Sequence, residues 1–135
     1  MRVRCKAKRG VDLVLPYYDP AVGKPADAVF HLTVGRRYTV YALGLEGAGT
    51  WVYIADDAFV DGPRRHPLCL FDVEDAAVSK SWEFAIGRDD GEHRQMLAPA
   101  AWFAMRWFFN RVVDGDAEAV DAFARMKRSI DGEAR

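Results

Sequence analysis

Serine is scarce in this 135-residue chain: only Ser79, Ser81 and Ser129 occur. None lies in a G-x-S-x-G elbow, so a serine-hydrolase triad has no support. Two cysteines, Cys5 and Cys69, are too few for a disulfide framework and form no C-x-x-C pair. Both sit in alternating apolar segments and read as small buried hydrophobes. A nucleophilic Cys69 would need a positioned base, and the nearest candidate in sequence is His66. The three histidines, His31, His66 and His93, share no zinc-ligand spacing. The longest apolar stretch, residues 96–109, is too short for a membrane span and contains Arg106. The basic segment 1–10 is followed by no hydrophobic region of signal-peptide length. The expectation is a cytoplasmic protein with no metal, no cofactor and no catalytic residues.

What is present fits one globular domain over residues 1–135. Half of the residues are apolar and 29% are charged, which excludes a disordered chain. The net charge is −1, so bulk electrostatics favour neither nucleic acid nor a membrane surface. That near-neutrality conceals a separation. Residues 1–37 hold eight Lys/Arg against three Asp, whereas residues 38–92 hold four against eleven Asp/Glu. The middle of the chain is therefore strongly acidic.

Residues 1–92 read mainly as β. Val3, Cys5 and Ala7 alternate with Arg4, Lys6 and Lys8, a period-2 strand with a basic face. A second short strand is expected over 12–15, then an irregular loop marked by Pro16, Pro20, Gly23 and Pro25. Thr33-Val34-Gly35 is a turn. Strands follow over 37–43 and 50–55, joined by a hairpin over 44–49. A loop over 56–67 precedes further strands over 67–73 and 82–86. Residues 96–131 read as a helical hairpin packed on the sheet. Its first helix runs over 98–113, with Pro99 in the first turn. Its second is capped by Asp116 and carries Val120, Phe123, Met126 and Ile130 at helical spacing. Asp131-Gly132 closes it. The arrangement is α+β.

The run Leu32-Thr33-Val34-Gly35-Arg36-Arg37-Tyr38-Thr39-Val40-Tyr41 resembles the opening turn and strand of small SH3-like barrels. The hairpin ending near Trp51 to Asp57, then His66 to Phe71, then Ser81 to Phe84 continue the likeness. Together they look like an uncharacterised family of small bacterial proteins. Proteins of this size are also similar to bacterial immunity proteins, which neutralise a toxin by binding it. The resemblance implies a curved antiparallel sheet or barrel and a non-enzymatic, protein-binding role. Fold alone does not convert into function.

Several constellations are candidate sites. Gly44-Leu45-Glu46-Gly47-Ala48-Gly49 joins two strands and so lacks the helix N-terminus of a phosphate loop. Arg64-Arg65-His66-Pro67 is a basic island within the acidic segment, suited to an anion or a partner. Asp56, Asp57, Asp61, Asp72, Glu74 and Asp75 form the expected acidic face, which would steer a basic toxin domain. Trp51, Tyr53, Trp82 and Trp107 are the expected apolar anchors. On one continuous helix, Trp102, Met105 and Phe109 would share one face and Phe103 and Trp107 another, packed on the sheet and the second helix, or with one side left for a homodimer mate or a foreign protein. The alternative is a small-ligand or nucleic-acid binder that uses the basic first strand with Tyr17 and Tyr18. On the acidic-face reading, charge reversal at Asp56 and Asp57 slows association and flattens its salt dependence. Unchanged binding of the purified partner would count against it.

Overall fold

The computed structural model describes residues 1–12, 29–46, 49–89 and 92–133. The strands are β1 (Arg2–Cys5), β2 (Arg37–Thr39), β3 (Ala42–Glu46), β4 (Gly49–Ile54), β5 (Arg64–Pro67), β6 (Phe71–Asp75), β7 (Trp82–Asp89) and β8 (Glu92–Pro99). The helices are α1 (Ala100–Ala104), α2 (Phe108–Val113) and α3 (Ala117–Glu133). All strand pairings are antiparallel. One sheet has the order β2-β1-β6 and the other β5-β4-β3-β8-β7.

Burial follows from the two-residue strand period. Along β4, Trp51 and Tyr53 face one side while Val52 and Ile54 face the other, and all four are buried. Trp51 and Tyr53 lie on the side of the helices, where Tyr53, Trp102, Phe108 and Phe123 form one core. Val52 and Ile54 pack with Val3 and Phe71 of the smaller sheet, and with Val40 and Leu70 beside it, in a second core. The large sheet is thus the middle layer of an α+β arrangement.

The two sheets do not close into one barrel among the described residues. The expected strand 37–43 divides at Val40 and Tyr41. Val40 N–H donates to Met1 O at 3.0 Å, whereas Tyr41 N–H donates to Tyr53 O at 2.8 Å. The chain passes from one sheet to the other at this corner.

The expected helix over 98–113 is replaced by the end of β8 and two short helices. Met96 and Leu97 fill the sheet between β3 and β7, in a central strand whose short apolar run has no period to tell strand from helix. Pro99 then leads into α1. Met105 is extended and Trp107 has φ 61°, in the left-handed region. The helical register breaks there, so Trp102, Met105 and Phe109 share no single helix face. The C-terminal hairpin is made by α2 and α3. Gly115, at φ 79°, makes their turn. Asp116 accepts hydrogen bonds from the N–H groups of Glu118 and Ala119 and caps α3, as expected. That helix runs past Asp131-Gly132 to Glu133.

A 3₁₀ turn over Leu68–Leu70 interrupts the expected strand 67–73. It buries Leu70 and turns Cys69 outward, so only Cys5 is the buried thiol. The last residues of the expected loop 56–67 form β5. Asp12 lies in a 3₁₀ turn, Gly10–Asp12, and the rest of the strand expected over 12–15 lies outside the described residues, as do Tyr17 and Tyr18.

Phe123 is fully buried, with its ring 5.5 Å from Tyr41 at 86°. Phe123→Ala opens a cavity between α3 and the sheet. The expected loss is about 3–5 kcal/mol in chemical denaturation.

Candidate binding cleft along the edge strand

Strand β5 pairs with β4 and ends the large sheet on one side among the described residues. Its register sets His66 opposite Val52, Arg65 opposite Tyr53 and Arg64 opposite Ile54. Alternation sends His66 and Arg64 to one face and Arg65 to the other. The loop between β4 and β5 returns across this edge.

Asp56 holds the loop in place. Its Oδ1 accepts the N–H groups of Ala58 at 3.0 Å and Phe59 at 2.9 Å, an Asx-type turn. Its Oδ2 lies 2.9 Å from His66 Nε2. The His66 side chain is 5% exposed and that of Asp56 2%. Burial pushes the Asp56 carboxyl up. Hydrogen bonds from His66, Phe59 and Ala58 outweigh it and hold the carboxyl below its ordinary range. An ionised carboxylate only accepts, so Nε2 of the imidazole carries the proton. In the neutral ring Nδ1 then carries a lone pair, and it is a buried polar atom without a hydrogen-bond partner among the described residues. Such atoms are rare and ask for an explanation.

A cavity of about 340 Å³ lies beside this pair. Its walls are aromatic and cationic. Phe30 meets His66 edge-on at 5.6 Å, and His31 stands 6.4 Å from Phe59. The Arg64 guanidinium lies over Phe59 at 3.8 Å from the ring centroid. One Arg64 N–H donates to Pro63 O at 2.9 Å. Arg65 lies over Trp51 at 4.8 Å. Phe109 completes the cleft from α2 and packs on Tyr53 at 5.2 Å. Stacked guanidinium groups keep N–H edges directed sideways while their faces rest on rings.

Asp57 anchors the neighbouring segment instead of facing outward. It accepts hydrogen bonds from Thr33 Oγ1 at 2.6 Å, Tyr38 OH at 2.7 Å and Arg36 at 2.7 Å. Burial pushes its carboxyl up, but Thr33, Tyr38 and Arg36 hold it below the usual range. Burial, with Asp57 alongside, raises the Tyr38 hydroxyl to about 12. Asp57 N–H also donates to His31 O at 3.1 Å, which fixes one rim of the cleft.

The expected acidic face is divided by the fold. Asp56 leaves that outward face: three donors converge on its buried carboxylate, which lines the cleft instead. Asp72 pairs with Lys6 at 3.6 Å and Glu74 with Arg37 at 2.7 Å. The Arg37 guanidinium holds the Glu74 carboxyl below its usual range. Asp75 accepts the N–H of Ala77 at 2.9 Å. The basic first strand lies beside these acids, with Arg4 opposite Asp72 in the register. Asp61 is exposed in the loop before β5.

Among the expected anchors, Tyr53 is buried in the helix-side core and Trp51 is nearly so, because β4 is covered on both faces. Trp82 is half-buried and donates Nε1–H to Tyr41 O at 2.9 Å. Trp107 is half-buried at the α1–α2 break, beneath Arg106 at 5.6 Å. Only Trp51 borders the cleft. Phe30, Phe59 and Phe109 were absent from the sequence-based site. Trp51, Asp56 and the basic island 64–67 are the cleft's signals in the sequence.

The chain matches no protein-family model, and no curated protein or solved structure matches it. Among the described residues no helix is long and apolar enough to cross a membrane. No group of three or more His, Cys, Asp or Glu side chains suited to a metal occurs among them.

Asp56→Ala strands the His66 ring and two backbone amides. The expected cost is about 2–3 kcal/mol at neutral pH. A depressed carboxyl stabilises the fold above its unfolded pKa and loses that contribution as pH falls through its native value. The wild-type advantage in urea midpoint should therefore be full at pH 6 and shrink as pH falls below about 4.

Proposed function

We propose that this chain is a non-enzymatic binding module whose recognition site is the cleft beside β5. One observation carries the reading: the partnerless His66 Nδ1, held in a fixed orientation by Asp56 beside a cavity. A scaffold that spends a buried carboxylate on orienting an imidazole leaves its second nitrogen to something else. The ligand class follows from the groups around it. Nδ1 accepts an N–H or O–H donor, the aromatic walls favour a flat ring, and Arg64 and Arg65 favour a negative group. The cavity lies at the small end of the range that holds small molecules. The described lining residues include His31, His66 and Asp56 but no hydroxyl or thiol nucleophile, which favours recognition over nucleophilic catalysis.

The second reading is a protein partner, and a bacterial toxin-neutralising immunity protein of the cytoplasm is its specific form. It is favoured by the exposed carboxylates of Asp61, Asp72 and Asp75, of which Asp72 also pairs with Lys6 and Asp75 also accepts the Ala77 N–H. The likeness of residues 32–41 to an SH3-like turn belongs to this reading, and the barrel it implies is part of the proposal.

The test is calorimetric titration with 4-aminobenzoate, benzoate and 4-aminobenzamide. 4-Aminobenzoate should bind most tightly, because it alone offers ring, donor and charge together. Arg64→Gln should weaken it about tenfold, the worth of a charge-assisted hydrogen bond. Equal affinity for all three probes, or none for any, would count against the small-ligand reading and leave the protein partner in front.

A further inference from the structure

The wall of the cleft beside β5 contains groups that can change charge. Among the described lining residues, Arg64 and Arg65 are cationic, Asp56 is anionic, and His31 and His66 titrate. Asp56 and His66 lie 2.9 Å apart, both deeply buried. The groups around the His66 ring come from three places. Asp56 reaches it from the loop after β4. Phe30, ahead of β2, meets it edge-on, and His31 lines the same cavity. Arg64 and Arg65 precede it along β5. Asp57, the next carboxylate in the loop, is turned to Thr33, Arg36 and Tyr38.

Nε2 carries the first ring proton because it faces an ionised carboxylate, so a second proton goes to Nδ1. The two protonation states make different clefts. With a neutral ring, the buried pair carries the full negative charge of Asp56. That charge opposes any anion held by the arginines. Nδ1 is then an acceptor and suits a ligand that donates. With a protonated ring, the pair has no net charge and Nδ1 becomes a donor. A buried N–H without an acceptor is costly, and an anionic oxygen placed against it removes that cost. Both effects push the same way, and burial leaves them weakly screened. Asp56 stays ionised throughout, because its hydrogen bonds hold the carboxyl below the ordinary range.

We infer that anion binding in this cleft is coupled to proton uptake by His66, so that acidification shifts its preference from N–H donors towards carboxylates. The inference rests on the cleft being the recognition site. The coupling is reciprocal: acid tightens the anion, and the anion tightens the proton by the same factor. A neutral donor couples with the opposite sign, because it needs the lone pair that the second proton removes.

The experiment is calorimetric titration of the full chain with benzoate and with 4-aminobenzamide. It is run at about pH 7.5 and about pH 5.5, within the range where imidazoles ordinarily titrate and both probes keep their charge. Two buffers of different ionisation enthalpy count the protons exchanged. Benzoate should bind about tenfold tighter at the lower pH, with net proton uptake, and 4-aminobenzamide about tenfold weaker, with net release. In the ¹⁵N ring spectrum of the wild type, saturating benzoate should raise the His66 midpoint by about one pH unit, the same tenfold. His31→Gln should keep all of these effects. Binding of both probes with no pH dependence and no proton exchange overturns the coupling and leaves the recognition site standing. Loss of the coupling in His31→Gln, with the wild-type His66 midpoint unmoved, overturns it as well, because His31 is then the titrating group. Failure of both probes to bind at either pH removes the recognition site and the coupling together.

Discussion

Strand β4 has no solvent-facing side over residues 51–54. Side chains that alternate across a strand must then be apolar at every position, and two separate layers must exist to receive them. Trp51 and Tyr53 require the helices. Val52 and Ile54 require the smaller sheet. Other features follow from this double demand. The chain must leave the smaller sheet at Val40 and Tyr41 to become β3. The aromatic run after β8 must break at Met105 and Trp107 so that Trp102, Phe108 and Phe109 can all approach the same side. Tyr53 is the meeting point, with Trp102 at 5.1 Å and Phe109 at 5.2 Å, both near edge-on.

The cleft lies where that demand ends. β5 continues the sheet but has no further strand beyond it among the described residues, and polar groups enter there. His66 occupies a position opposite Val52 that an apolar residue would fill on an interior strand. Its burial is tolerable because Asp56 satisfies Nε2 and fixes the ring. The same loop carries Asp57, whose bonds to Thr33, Tyr38 and Arg36 tie the cleft rim to the smaller sheet. The site is rigid on one side through Asp56 and on the other through Asp57. A fixed orientation of this kind lowers the cost of binding.

Much of the local structure was legible in the sequence. The turn at Thr33-Val34-Gly35 requires the positive φ of 89° that Gly35 adopts. The Asp116 cap and the burial of Phe123, Met126 and Ile130 followed from helical spacing. The β3–β4 hairpin and the α+β order were likewise readable. Strand β8 was hidden because Gln95-Met96-Leu97-Ala98 runs into the aromatic segment with no breaker before Pro99. An apolar run of that kind has no period to distinguish strand from helix. The cleft was half visible. The basic island at 64–67 stood out, but the pairing of His66 with Asp56 depends on the β4–β5 register. Asp56 and Asp57 look alike in sequence, and only tertiary donors make one a buried anchor and the other a rim brace.

The most direct measurement is the long-range ¹⁵N–¹H spectrum of the histidine rings, recorded with and without 4-aminobenzoate. In the free protein, the neutral form of the His66 ring should carry its proton on Nε2, facing Asp56. Saturating probe should move the Nδ1 resonance most. A proton on Nδ1 in the free protein would contradict the account, because Asp56 would then not be orienting the ring. An unmoved Nδ1 resonance at saturating probe would contradict it equally, because the probe would not be meeting the nitrogen that Asp56 leaves unpaired.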